Sequence, residues 1–126
     1  MAIQTTNIIR EILGAALEQQ QFSLTGKWPR WSLLRTHHGQ TDKIELVSES
    51  IQGAAGQRRM NINFAIEHPR SGQDTWMNRP FEEWFEYLDE EQLRKELKSQ
   101  LPRIVEQVLP WMEQMRSEWD KRTTFS

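Results

Sequence analysis

The side chains of this chain that could do chemistry are three histidines, eighteen carboxylates and six tryptophans; cysteine is absent. His37 and His38 are neighbours, and in an extended strand consecutive side chains leave on opposite faces, so the pair is not expected to share a metal. His68 stands two strands further on and reaches at most one of them, with Asp42 as the carboxylate at hand. A metal site needs three or four converging ligands, so neither a metal nor a cofactor is expected. Without cysteine there is no thiolate nucleophile, disulfide or Cys-based zinc site. No serine stands in a Gly-x-Ser-x-Gly elbow, and Gly53 and Gly56 lack the Lys-Ser/Thr that completes a phosphate loop. The carboxylates are too many and too evenly spread for spacing to single out a general acid. The expectation is a protein that is not an enzyme.

The strongest local bias is acidic. Residues 81–92, FEEWFEYLDEEQ, hold Glu82, Glu83, Glu86, Asp89, Glu90 and Glu91 and no basic residue. Asp89, Glu90 and Glu91 have a structural reason to be there, since a helix start favours negative charge. Glu82, Glu83 and Glu86 have none except exposure, and a basic partner would offset their mutual repulsion and be steered toward them. Trp76 lies just upstream in a stretch with neither helical nor strand phase, and tryptophan is enriched at binding hot spots. The candidate partner-binding set is therefore Trp76, Arg79, Glu82, Glu83, Glu86, Glu90 and Glu91.

Nucleic-acid binding is disfavoured. Lys27, Arg30, Arg35, Lys43, Arg58 and Arg59 interleave with Trp28 and Trp31, a pairing that can hold single strands. Against them stand Asp42, Glu45 and Glu49, and the whole chain carries a formal charge of −2, so no global field draws it to phosphate or anionic lipid. Residues 1–10 lack the basic start of a secretory signal, and the apolar stretch at 12–17 is far short of the ~20 residues of a membrane span. A cytoplasmic location with no membrane contact is the default expectation.

The elements that must position these residues follow from length and periodicity. At 126 residues, 37% hydrophobic and 27% charged, the chain suits a single globular domain over 1–126. Thr5, Thr6 and Asn7 offer caps ahead of a helix over 6–20, whose stripe is Ile8, Ile9, Ile12, Leu13, Ala16 and Leu17. Trp31 and Leu33 mark a strand over 30–37, ending in a turn at 38–42. Ile44 and Leu46 begin the next strand; Val47 and Ile51 sit on the opposite parity and predict either a bulge or cover on both faces. Met60, Ile62, Phe64 and Ile66 alternate with polar residues in the clearest strand. Residues 68–80 read as a loop. Phe81, Trp84, Phe85 and Leu88 read as a short helix with an aromatic face. Asp89, with Gln92 three positions on, makes a capping box for a last helix. Its stripe from Leu93 to Trp119 survives Pro102 and Pro110, predicting a kinked or twice-restarted helix with a frayed tail. The fold class is α+β: two layers, with a three- to four-stranded antiparallel meander covered by the N-terminal helix and the kinked C-terminal helices.

This order of features resembles a family of small uncharacterised bacterial α+β domains. The matching stretches are the opening helix running into Phe22, the strands near Trp31, Ile44 and Asn61, and the closing Val-Leu-Pro-Trp-Met at 108–112. The resemblance carries no catalytic residues. It implies that some members act as immunity proteins against secreted toxins. Here that reading becomes an acidic patch occluding a basic toxin domain, with carboxylates standing in for substrate phosphates. The alternatives are a homo-oligomeric structural protein built on the long C-terminal stripe and a weak nucleic-acid or small-ligand binder.

Overall fold

A computed structural model describes residues 3–77 and 83–124, with side chains to residue 118. The chain is α+β, one antiparallel sheet with helices on one face. Helix α1 (Thr5–Ile9) passes through a π-helical turn (Arg10–Gly14) into α2 (Ala15–Glu18). Strands β1 (Ser23–Lys27), β2 (Arg30–His37), β3 (Gln40–Ser50) and β4 (Arg58–Glu67) form a meander in sequence order. Two short strands, β5 (Asp74–Trp76) and β6 (Trp84–Tyr87), then pair end to end with the free side of β4. Helix α3 (Glu90–Arg103) continues through a second π-helical turn (Ile104–Val108) into α4 (Leu109–Thr124).

The sheet has six strands, against three or four expected from the sequence. The stretch 68–80 is not all loop, because β5 lies within it and gives Trp76 strand phase. Nor is the segment before Asp89 helical. Trp84, Phe85 and Tyr87 sit on β6, where aromatic residues pack well on a pleated surface, and Leu88 is exposed. Phe81 lies outside the described residues. The β3–β4 register runs unbroken from Thr41↔Glu67 to Ser50↔Arg58, so there is no bulge at Val47; that side chain is half-buried on the face opposite Leu46. The N-terminal cap also differs. The chain enters α1 through Gln4 with no side-chain cap, and the Thr6 hydroxyl instead accepts from the Trp31 indole at 2.8 Å.

Register and burial divide the sheet into two faces. Trp31, Leu33, Ile44, Leu46, Met60, Phe64 and Ile66 point to the first face, where Ile8, Ile9, Leu13 and Leu17 of the N-terminal helix and Leu93, Leu97, Ile104, Val108 and Met112 of the C-terminal one cover them. Burying one such side chain contributes ~1.5–3 kcal/mol, so this interface dominates the stability of the fold. The two helices are also tied to each other, by Arg94 to Glu11 at 2.9 Å and by the Gln4 amide to Glu90 at 2.8 Å. At the start of α3 the Asp89 carboxylate caps the Gln92 amide at 2.8 Å, as the sequence predicts, while the Gln92 side chain accepts from the Leu88 amide at 2.7 Å, one residue before the Asp89 amide that the expected box would use. The second π-helical turn lies between Pro102 and Pro110. Each proline removes an amide donor, and the wider turn carries the buried stripe across the gap. Helical backbone then continues past Trp119 to Thr124, beyond the expected fraying point.

Candidate functional site

The second face of the sheet carries no helix among the described residues, and the described partners across it come from strands and turns. On it stand Lys43, Glu45, Val47 and Glu49 of β3, Arg59, Asn61, Asn63, Ala65 and Glu67 of β4, Asp74 and Trp76 of β5, and Trp84 and Glu86 of β6. Trp76 lies opposite Ala65 and Trp84 opposite Asn61, so the two indoles bracket one stretch of β4. Both are half-buried. Between them Asn61 donates to the Glu83 carbonyl and Asn63 donates to the Asn61 side chain, which satisfies amides that are closed off from solvent.

The charges on this face are paired unevenly. Lys43 lies 3.1 Å from Glu67 and 3.0 Å from Asp74, two carboxylates on one ammonium. Partial burial pulls the Lys43 pKa down, but hydrogen bonds to Asp74 and Glu67 outweigh it and hold the group above the ordinary lysine value. Arg59 pairs with Glu49 and lays its guanidinium over the Trp84 ring, 4.3 Å from the centroid. Glu86 stands opposite Arg59, and Glu45 accepts from Ser32 at 2.6 Å. From β3 to β6 five carboxylates therefore meet two cations, with Lys27 and Arg30 at the far edge of the sheet.

The sequence-predicted site residues do not form one patch. Trp76 is on the second face. Arg79 and Glu82 lie outside the described residues. The strand, where a helix was expected, sends Glu83 and Glu86 to different partners: Glu83 is exposed and meets Arg103 of α3 at 3.3 Å, while Glu86 accepts from Gln57 at 3.3 Å. Glu90 receives the Gln4 amide, and Glu91 is exposed in the first turn of α3. The basic set is dispersed as well. Trp31 is buried, Arg58 stacks on Trp28 at 4.6 Å, and Arg35 is drawn into the interior.

Asp42 is the residue whose place the sequence concealed. It is not a turn carboxylate near a histidine but a fully buried one on the helix-covered face. Its Oδ2 accepts from Arg35 Nε and from Arg116 Nη2, each at 2.8 Å, and its Oδ1 accepts from Gln40 Nε2 at 2.6 Å. Arg35 also donates to the Gln20 carbonyl at 3.1 Å and stacks over Phe22 at 4.5 Å. The two arginines line an open cavity of about 220 Å³ together with residues 19–21, His37 and Glu113. The histidine expectation changes too. His38 has φ 52°, so the chain turns there, and the two imidazole rings meet edge to face at 4.2 Å rather than on opposite sides. Among the described residues no group of three His, Asp or Glu side chains could hold a metal ion, and no helix is long and apolar enough to cross a membrane.

The Arg35–Asp42 half of this cluster carried a signal in the sequence: a tight turn at His38–Gly39 makes the two residues cross-strand partners. Arg116 carried none, because it arrives from 74 residues away. No family model matches the chain, and no curated protein or solved structure is similar to it.

Proposed function

We propose that this chain is a non-enzymatic protein-interaction module that docks on a basic partner through the second face of its sheet. The observation that carries the reading is the pair of half-buried indoles, Trp76 and Trp84, set among five carboxylates and two cations. Indoles supply the apolar anchor of a hot spot, and the carboxylate surplus steers a basic surface toward it. Glu83, just before β6, adds to that charge, while Glu90 and Glu91 add negative charge at the start of α3. An immunity-type role, occluding the basic surface of a toxin domain, is the specific form of this reading and rests on the resemblance drawn from the sequence.

The test is capture of a partner by the full chain, compared with a variant carrying Glu82→Gln, Glu83→Gln and Glu86→Gln and with Trp76→Ala. The expected result is a stoichiometric basic protein held by the parent chain, released by raised salt, and lost from both variants. Equal retention by all three chains, at all salt concentrations, would overturn the proposal.

A homo-oligomer is the second reading, and the edge strand β1 favours it. Among the described residues Ser23–Lys27 pairs on one side only and is largely exposed, a template to which a second chain can add. Sedimentation decides it: a monomer at tens of micromolar excludes the homo-oligomer.

A further inference from the structure

The Asp42 cluster has more donors than acceptors. Two guanidinium charges converge on one carboxylate, and Arg35 Nη2 and Arg116 Nε are buried without a hydrogen-bond partner. An unpaired buried donor is costly, and more so when it is charged, so native proteins rarely keep two side by side. Gln40 does not resolve the surplus: its amide nitrogen serves Asp42 and the Met112 carbonyl, and its oxygen is itself unpartnered. The arginine side chains are 10% and 14% exposed, and both residues line the cavity of about 220 Å³.

The wall of that cavity is built at a conformational cost. The helix α2 ends in a Schellman motif, with Phe22 N–H on the Leu17 carbonyl at 3.1 Å and Gln21 N–H on the Glu18 carbonyl at 2.9 Å. The left-handed position of such a motif is usually glycine; here it is Gln21, at φ 70°. That turn presents the Gln20 carbonyl to Arg35 and leaves three glutamine amides around the opening.

We propose that this cavity binds a carboxylate. The planar guanidinium fork suits a carboxylate, and the two guanidinium groups outnumber the one buried carboxylate, Asp42, that they share. Asp42 does not line the cavity, so an entering carboxylate approaches the arginine pair from the side that Asp42 leaves open and meets the guanidinium surface that lines the cavity. Glu113 stands exposed in the lining and works against any anion, most strongly against a doubly charged one. The site is independent of the docking face, which lies on the other side of the sheet.

The experiment follows the arginine side-chain Nε–H resonances of the ¹⁵N-labelled full chain during titration with sodium acetate, sodium phosphate or sodium chloride at constant ionic strength. Acetate is expected to give saturable shifts at Arg35 and Arg116 in the low millimolar range, with phosphate several-fold weaker and chloride without effect. Glu113→Gln, an exposed change that leaves the fold intact, should tighten acetate roughly twofold to fivefold. Arg116→Lys keeps the charge near Asp42 but removes the fork, and should weaken acetate by about tenfold or more. Absence of saturation, phosphate binding as tightly as acetate, or a Glu113→Gln chain with unchanged affinity would each overturn the assignment.

Discussion

Asp42 and Lys43 are neighbours in the chain and lie on opposite sides of the sheet. Asp42 is sealed under α4 with two arginines and a glutamine amide on its oxygens. Lys43 sits on the other face between two carboxylates that keep 39% and 31% of their side-chain surface. Both are ion-pair centres on β3 with two opposite charges apiece, and what separates them is solvent. Under the helix, removal of the central charge strands partners that water cannot reach; on the open face water and salt fill in. The lesson is that one step of strand alternation decides whether a charge organises the interior or decorates a surface available to others.

The largest expected effect follows from that contrast. Asp42→Ala should destabilise the chain by about 3–5 kcal/mol in urea unfolding, whereas Lys43→Ala should cost about 1 kcal/mol or less. Equal losses would mean that burial does not distinguish the two centres. Next comes Trp76→Ala. Its half-buried indole is worth about 1–1.5 kcal/mol of stability by area, so this variant should stay folded and can report on docking alone. Gln21→Gly should raise stability by about 1 kcal/mol, because glycine takes the left-handed turn without penalty. A loss instead would mean that the Gln21 side chain contributes more to the arginine corner than its backbone costs.

The smallest effect is on pH dependence, with opposite signs for two pairs. The hydrogen bond and charge of Arg94 hold the Glu11 carboxyl below the usual carboxylate range. A depressed acid adds stability that is present above its unfolded pKa and is lost as pH falls through the folded value. Lys43 is raised, so its contribution is present below the ordinary lysine value and is lost as pH rises through the folded one. NMR titration of the Glu11 carboxyl should give a midpoint below that of free glutamate, returning to it in Arg94→Ala.

Much of the architecture could be read from residue order. Strict alternation in β4 and in the first half of β3, the apolar stripe of the first helix and the Asp89 cap on Gln92 all reflect local rules that the structure obeys. The misreadings share one cause. Spacings of three, one and three in Phe81, Trp84, Phe85 and Leu88 fit a helix, but β4 had an unpaired side, and pairing with it outweighs a weak local preference. Three residues of β5 are too few to show a period. For the site, Trp76 could be singled out as a candidate, but its face could not, since that depends on β5 pairing with Ala65. The arginine corner was hidden because its members come from β2, β3 and α4 and meet only in the folded chain.

Strand β4 pairs with β3 along one side and with both β5 and β6 along the other, so it holds partners on either flank over most of its length. Folding therefore cannot finish at the hairpin stage: segments up to 29 residues further along must return and lock before its second row of amides is shielded. Its amide protons should be among the slowest in the molecule to exchange with deuterium, and loosening of β6 should speed exchange at Arg58–Asn61 first.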